Sequence, residues 1–378
     1  MVNYPKDWEI KILGDELNYI QPAMYIAKSI VDVGSTPVIT AGKSYVLGYS
    51  NEKNTFKEFP VILFDDFTTE VRFVDFEFLV RSSATKFLTL SGDSDLRFLF
   101  MLLDSIHYNI EAHERHWIKK FSKFKVTIPK ISEQKSIVSA LNSFDTHINN
   151  LSRLIEKKKM IRDGALEELV SGTRRLEGFS GDWEEKAISK ITKDVITGGT
   201  PSTSIIEYWG GDIPWLASTE IHQKIIRKPT KMITELGLAY SSAKIIPKDS
   251  VVIALAGQGK TRGTTAILSS SMAINQSLAG LVCNEETNSK FIYYVMNNNY
   301  NKLRELSSGD GGRGGLNKKL LKEFIVYIPT DIKEQEAIAD ILSAMDKEIE
   351  NLEREKEKYI QLKAGAMDDL LTGKIRLV

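Results

Sequence analysis

The sequence predicts an α+β protein: two globular mixed α/β domains joined by two long helices that form an antiparallel coiled coil, with pseudo-twofold symmetry. Three observations carry the prediction. A 44-residue segment occurs twice. Each copy bears an apolar seam of helical period. Each copy also closes a globular stretch that opens on the same short motif.

The first copy, from Glu133, reads EQKSIVSALNSFDTHINNLSRLIEKKKMIRDGALEELVSGTRRL, and the second, from Glu334, reads EQEAIADILSAMDKEIENLEREKEKYIQLKAGAMDDLLTGKIRL. Without a gap they share about 17 identities in 44 positions. A spacing of roughly 200 residues is too long for a solenoid and marks a duplicated domain-plus-helix unit. Ile137, Leu141, Phe144, Ile148, Leu151 and Ile155 step by four and three in the first copy. Ile338, Leu342, Met345, Ile349 and Leu352 do so in the second. That is an a/d seam of period 3.5, which requires a helical partner. A single such helix would serve as a dimerisation stalk or a core helix; two in one chain favour an intramolecular pair. Pro129 suits the helix start, Ser132 with Lys135 makes a poor capping box, and Gly172 and Gly373 fall at matched stops. Some 40 residues at 1.5 Å each give a rod of roughly 60 Å.

YPKDWE at Tyr4–Glu9 matches FSGDWE at Phe179–Glu184. The repeat unit is therefore an opening motif, a globular domain and a helix. The expected boundaries are 1–130 and 178–330 for the globes, with helices over 131–177 and 331–378. In the first globe, PVITAGKSYVLG, FPVILFDD, EVRFVDFEFLV and KFLTLSG read as strands with their turns, LRFLFMLLDSI as a buried helix, and FKVTIP as a closing strand. In the second, ITGGTPSTS, DIPWLAS, SVVIALAG, TTAILSS and LAGLVC read as strands and turns, FIYYVMNNNYNKLREL as helix, and FIVYIP closes. An antiparallel helix pair would bring the end of the second helix back beside the first globe.

Three tempting motifs fail on their surroundings. ALAGQGKT follows a strand as a phosphate-binding loop does, but Ala254 stands where that loop has glycine. RGTTAILSS after it is strand-like, whereas a phosphate loop opens a helix. A glycine-rich turn presenting Gln258, Lys260 and Arg262 fits better. His107, His113 and His116 lack the i, i+4 spacing of a helical zinc site. SGDGGRGG, carrying Arg313, follows a helix and is no dinucleotide fingerprint. No motif places a nucleophile, base or carboxylate set.

Lys+Arg and Asp+Glu number 50 each, so the net charge is zero, whereas an autonomous nucleic-acid binder is usually basic. The positive charge is nonetheless grouped: Lys224, Arg227, Lys228 and Lys231; Lys119, Lys120, Lys123 and Lys125; Arg153, Lys157, Lys158, Lys159 and Arg162; Lys318 and Lys319. Such groups supply salt-dependent phosphate contacts without sequence information. Asp65, Asp66, Glu70, Asp75 and Glu77 oppose them, facing away from DNA or reading cytosine amino groups. The lone Cys283, the absence of a spanning apolar run and the start MVNYPKDWEI predict a cytoplasmic protein without disulfide, membrane anchor or signal peptide.

With the repeat in view, the chain resembles the specificity (S) subunits of type I restriction–modification enzymes. WEEKAISKI, TGGTPSTSIIEYWGGDIPWLAST, GKTRGTTAILSSSMAINQSLAGL, LNKKLLKEFIVYIP and KEQEAIADILSAMDKEIENL carry the likeness. Residues 20–115 depart from the family, lacking its glycine-threonine-proline and asparagine-glutamine motifs; GSTPVIT at Gly34 and FDDFTTE at Phe64 are distant counterparts. The resemblance implies two target recognition domains, each reading half of a bipartite double-stranded DNA site. It implies conserved spacer helices that set the gap and dock two methyltransferase (M) subunits, to which restriction (R) subunits add. It further implies a non-catalytic chain without cofactor, AdoMet, ATP and Mg residing on the partners. By position, the DNA-contact candidates in the second domain are Gln258, Lys260, Thr261 and Arg262, then Thr200, Ser202, Thr203, Lys224, Arg227 and Arg313. Those in the first are Lys43, Tyr45, Thr68, Thr69 and Arg81. Two other classes share the same features: a scaffold or adaptor with two protein-binding heads on a coiled-coil rod, and an enzyme using the GQGKT loop on nucleotides.

Overall fold

The computed structural model describes residues 4–42, 44–110, 114–257, 259–306 and 315–377. Two compact units make up the chain: Met1–Arg153 with Glu353–Val378, and Leu154–Leu352.

Unit 1 begins with β1 (Glu9–Ile12), the single-turn helix α1 (Leu13–Glu16) and β2 (Leu17–Ile20). Strands β3 (Thr36–Ile39), β4 (Val46–Ser50), β5 (Val61–Asp65), β6 (Val71–Val74), β7 (Leu79–Val80) and β8 (Thr85–Leu90) follow. Helix α2 (Leu96–Ser105), the short α3 (His116–Lys119), β9 (Lys125–Ile128) and the long α4 (Ile131–Val170) come next. One antiparallel sheet has the order β2-β8-β5-β6, a second the order β4-β3-β7 with β3 and β7 parallel, and β1 pairs with β9. EVRFVDFEFLV is therefore two strands, β6 and β7. The chain changes sheets between them, and the Phe56–Phe78 bridge holds the crossing. Asp95 caps α2 by accepting from the Phe98 amide, and Phe98, Leu99 and Leu103 bury the helix's apolar face.

Unit 2 repeats the plan. Its elements are β10 (Trp183–Ala187), α5 (Ile188–Ile191), β11 (Thr192–Thr197), β12 (Trp209–Leu216), β13 (Ile225–Ile226), β14 (Lys231–Ile233) and α6 (Glu235–Ala239). Then come β15 (Lys244–Ile246), β16 (Val251–Ala254), β17 (Thr265–Leu268), β18 (Met272–Ile274) and β19 (Leu278–Cys283). Helices α7 (Ser289–Asn298), α8 (Tyr300–Leu306) and α9 (Lys318–Glu323), strand β20 (Ile325–Pro329) and helix α10 (Ile332–Leu371) complete the chain. The order β11-β19-β16-β17 matches β2-β8-β5-β6 and gains β13 at its edge; β10 pairs with β20 as β1 does with β9. Each opening motif thus leads into a strand that is zipped to its domain's closing strand. Asn288 caps α7 as Asp95 caps α2.

Each unit also holds part of both long helices. In unit 1, Phe144 meets Tyr359, His147 lies near Glu355, and the Lys363 ammonium is 2.6 Å from Asp145. In unit 2, Lys158 pairs with Glu348 and Arg162 with Asp346. Numbers rise along one helix as they fall along the other, so the segments run antiparallel within each unit. Of the seam residues, Ile137, Leu141, Leu151, Ile155, Ile338, Leu342 and Ile349 are buried; Phe144, Ile148, Met345 and Leu352 are half-buried. Ile137 and Leu141 cluster with Phe98, Leu102 and Leu370, so the seam's first levels seat the head as well as the helix. Ile338 and Leu342 do the same with Phe291 and Leu169.

The helix ends carry a duplicated clasp. Glu133, fully within unit 1, receives Arg376 Nε at 2.6 Å and Nη2 at 2.8 Å, while Asp7 takes the other guanidinium edge. Glu334, in unit 2, receives Arg175 Nε at 2.7 Å and Nη2 at 2.8 Å. The guanidiniums lie 5.8 Å from Trp8 and Trp183 respectively, the tryptophans of the two opening motifs. Gly172 and Gly373 end the helices at φ of +73° and +72°, a region glycine enters without strain. A Cβ at Gly172 would sit 3.1 Å from the Trp183 ring, and one at Gly373 3.2 Å from Trp8, so each glycine also makes room for the clasp.

Candidate functional site

Register places four of the second domain's candidates, Thr200, Lys260, Thr261 and Arg262, at one end of a sheet. Strands β11 and β16 both run antiparallel to β19, which lies between them. Their C-terminal ends, the N-terminal end of β19 and the β16–β17 turn therefore share one end of the sheet. Because β13 runs parallel to β17, the residues entering β13 reach that end too. Thr200 and Gln276 meet there, the threonine hydroxyl donating to the amide oxygen at 2.6 Å. His222 Nε2 lies 3.2 Å from Thr261 Oγ1. Gly198 and Gly199 allow this convergence. A Cβ on Gly198 would fall 1.8 Å from the Ile274 carbonyl oxygen, and one on Gly199 1.9 Å from Ser242 Oγ. Trp215 donates its indole N–H to the Gly199 carbonyl and fixes the loop from below.

The β16–β17 turn is a hairpin between antiparallel strands, not the start of a helix. Lys260 is exposed; Thr261 and Arg262 are half-buried. Gln258 and Arg313 lie outside the described residues, as does Lys43. Ser202 and Thr203 are exposed, with the Ser202 and Ser204 hydroxyls bonded to each other. Thr203, Trp209, Thr230 and Lys231 line a shallow depression of about 460 Å³, with the Lys231 ammonium over the Trp209 ring. Lys224 is committed elsewhere: its ammonium lies 2.8 Å from Asp346 of α10. Arg227 is exposed but follows β13, toward the opposite end of the sheet.

The first domain offers the matching sheet end with different contents. Thr68 and Thr69 sit in the β5–β6 turn, the counterpart of β16–β17. Asp65 caps that turn through the Phe67 and Thr68 amides, and Thr69 takes φ of +58°. Arg72 braces the neighbouring β3–β4 turn through the carbonyls of Ala41 and Gly42 and stacks 5.0 Å from the half-buried Tyr45. Burial pushes the Tyr45 phenol up. Arg81 is exposed just beyond β7. The floor is a buried polar network: the Tyr19 hydroxyl donates to Asp66 at 2.7 Å, and the Lys86 ammonium, 3 % exposed, donates to Gln21. Desolvation pushes the Lys86 ammonium pKa down, and burial with the Asp66 carboxylate pushes the Tyr19 phenol up.

Some sequence-level expectations change on this geometry. Asp65, Asp66 and Glu77 accept bonds from their own domain, Glu77 from the Thr55 hydroxyl, so internal structure rather than base reading occupies them. The mid-helix group is partly neutralised, since Lys158 and Arg162 pair with acids of α10. Gln276, His222 and Tyr45's partner Arg72 join the site. Of these, Gln276 had a legible signal, an asparagine-glutamine pair just before an apolar strand. No helix among the described residues is long and apolar enough to cross a membrane.

Comparison with known proteins identifies the chain's family. The family model described as type I restriction modification DNA specificity domain matches residues 5–158 and 180–361, once per repeat unit. The type I restriction enzyme EcoR124I/EcoR124II specificity subunit of Escherichia coli is 30% identical over 353 residues, covering 88% of this chain and 85% of its own. In fold, the S subunit of a type I restriction–modification system from M. genitalium superposes with a TM-score of 0.66 at 18% identity, over 98% of this chain and 97% of that one. A chain from a structure of type I complex assembly and conformational transition gives 0.59 at 15% identity, over 99% and 100%. Two matched domains, a relative 30% identical over most of both chains and a shared fold place the chain in one family: it belongs to the type I restriction–modification DNA specificity subunits.

Proposed function

We propose that this chain reads DNA sequence for a type I restriction–modification complex, with one domain per half of a bipartite site. Family membership supports the reading, and one observation supports a location for it. Thr200, His222, Lys260, Thr261 and Gln276 gather at a single end of the five-stranded sheet, on loops shaped by glycine rather than on the core. Amide, hydroxyl and cationic groups in that combination suit base edges and phosphates together.

On this reading residues 1–130 and 178–330 are the two target recognition domains. Residues 131–177 and 331–378 form one antiparallel coiled coil that measures the gap and docks two methyltransferase subunits, with restriction subunits added to the complex. The chain itself is non-catalytic and cytoplasmic; AdoMet, ATP and Mg belong to the partners. Zero net charge suits a subunit whose partners share the phosphate contacts. Family membership does not favour the scaffold alternative.

The test is selection of duplexes from a random pool by the chain purified with its methyltransferase partner. A bipartite consensus is expected, and exchange of residues 178–330 for another family head should change one half only. A pool recovered without consensus, or both halves changing together, would overturn the reading.

A further inference from the structure

The β16–β17 loop has the composition of a floppy segment and the geometry of a fixed one. Gly257, Gly259 and Gly263 take φ of +137°, +59° and +83° within seven residues. Glycine at such angles leaves many alternative conformations open to the chain. Helix α8 closes them off from behind. The Tyr300 hydroxyl donates to the Lys260 carbonyl at 2.8 Å. Arg304 Nη1 donates to the Gly259 carbonyl at 2.8 Å and the Arg262 carbonyl at 3.2 Å. The guanidinium lies 5.4 Å from the Tyr300 ring, so the two side chains also support each other.

The local sequence explains how the helix reaches the loop. Asn299 interrupts the helical run, its side-chain amide turning back to the Val295 carbonyl, and α8 starts afresh at Tyr300. Tyr300 and Arg304, four apart, share one face, while the fully buried Leu303 roots the helix in the core. A Cβ at Gly263 would lie 3.3 Å from Arg304 Cγ and 3.4 Å from the Tyr300 carbonyl oxygen. Gly263 therefore supplies both the backbone angle and the space for contact.

We propose that Tyr300 and Arg304 are positioning residues for base discrimination by the second domain: they hold the loop's carbonyls so that Lys260, Thr261 and Arg262 are offered to DNA in one arrangement. The proposal rests on the DNA-reading function above. Phosphate attraction tolerates a moving loop, whereas a base contact needs its donor placed to within about 0.5 Å. Loosening the brace should therefore cost selectivity and leave general affinity alone.

Arg304→Lys keeps the charge but replaces the planar guanidinium, whose Nη1 serves both carbonyls, with a flexible ammonium head, and Tyr300→Phe removes one hydroxyl. Each is prepared in the methyltransferase complex and titrated with three duplexes: the selected target, the target scrambled in the second domain's half, and the target scrambled in the first domain's half. The double variant should lose about tenfold of its discrimination at the second half, one mismatched pair being worth a comparable factor. Discrimination at the first half and affinity for random duplex should stay within about twofold. Second-half discrimination within twofold of wild type, or an equal loss at both halves, would overturn the proposal. If the double variant does not assemble, Tyr300→Phe alone decides: about threefold loss at the second half is expected, and no loss overturns it. A wild-type complex binding all three duplexes alike would instead refute the DNA-reading function, before any variant is examined.

Discussion

Replacing Asp346 by alanine should destabilise unit 2 by about 1–4 kcal/mol. The carboxylate is 7 % exposed and accepts from the Tyr294 hydroxyl at 2.9 Å, with Lys224 Nζ at 2.8 Å and Arg162 Nε at 3.3 Å. These groups weigh differently. Tyr294 is buried and its phenol is pushed above the usual range, so at neutral pH it is a donor that needs an acceptor. Leaving it with only Ser343 Oγ, at 3.3 Å, costs about 1–3 kcal/mol. Lys224 is more than a third exposed and Arg162 less so; solvent screens them, and together they add about 1 kcal/mol or less. Amide hydrogen exchange across α7, β13 and the first half of α10 reads the change in this unit alone. A double-mutant cycle with Tyr294→Phe should give a coupling of about 1 kcal/mol. An Asp346→Ala cost below about 0.5 kcal/mol, or no coupling to Tyr294, would refute the claim that this carboxylate pins the second domain to the helices.

Other outcomes follow from the same geometry. The Arg376 guanidinium holds the Glu133 and Asp7 carboxyls below their usual range. A depressed folded pKa means stabilisation that is full above the unfolded value, about 4, and lost as pH falls through the folded one. The melting temperature of unit 1 should therefore fall with acid in the native protein and fall less in Arg376→Gln; parallel curves from pH 6 to 3 would contradict the clasp. Gly198→Ala forces a Cβ to within 1.8 Å of the Ile274 oxygen, so it should abolish selection at the second half-site and spare the first. Duplex titration decides, and retained selection at both halves argues against the sheet-end site. Seven residues inserted into both α4 and α10 add about 10.5 Å of helix, or roughly three base pairs. Selected targets should show that longer gap with both halves unaltered, and an unchanged gap rules out a measuring role.

Much of the architecture could be read from the chain because it is written twice. The seam, the matched glycines and the opening motif each recur, and one copy checks the other. Partners distant along the chain left no such signal. Lys224 looks like one more cation in KIIRKPTK, yet its ammonium is held by a carboxylate 122 residues away. Glu133 and Arg376, 243 residues apart, are visible as repeated residues but not as a pair crossing from one copy to the other. EVRFVDFEFLV reads as one strand because β6 and β7 are both apolar; the sheet change between them depends on Phe56, far upstream. Strands as short as β13 and β14 carry too few residues for any alternation to show. The second domain's candidates at the sheet end lie on loops that glycine marks in the sequence, while Gln276 beside them is not among the candidates; in the first domain the equivalent turns are built from aspartate and threonine, which mark a loop less plainly.

Unit 1 draws on residues 353–378 for Leu370, Leu371 and Arg376, which pack with Leu102, Trp8 and Glu133. The head emerging first from the ribosome is thus the one completed last. At cellular synthesis rates some 200 intervening residues take roughly 10 to 40 s. During that interval Ile137 and Leu141 have only part of their cover, while unit 2, contiguous in the chain, can already close. A product broken off before residue 353 would leave its first head without the cover of Leu370 and Leu371 and without the Arg376 clasp on Glu133, while the residues of unit 2 would all be present.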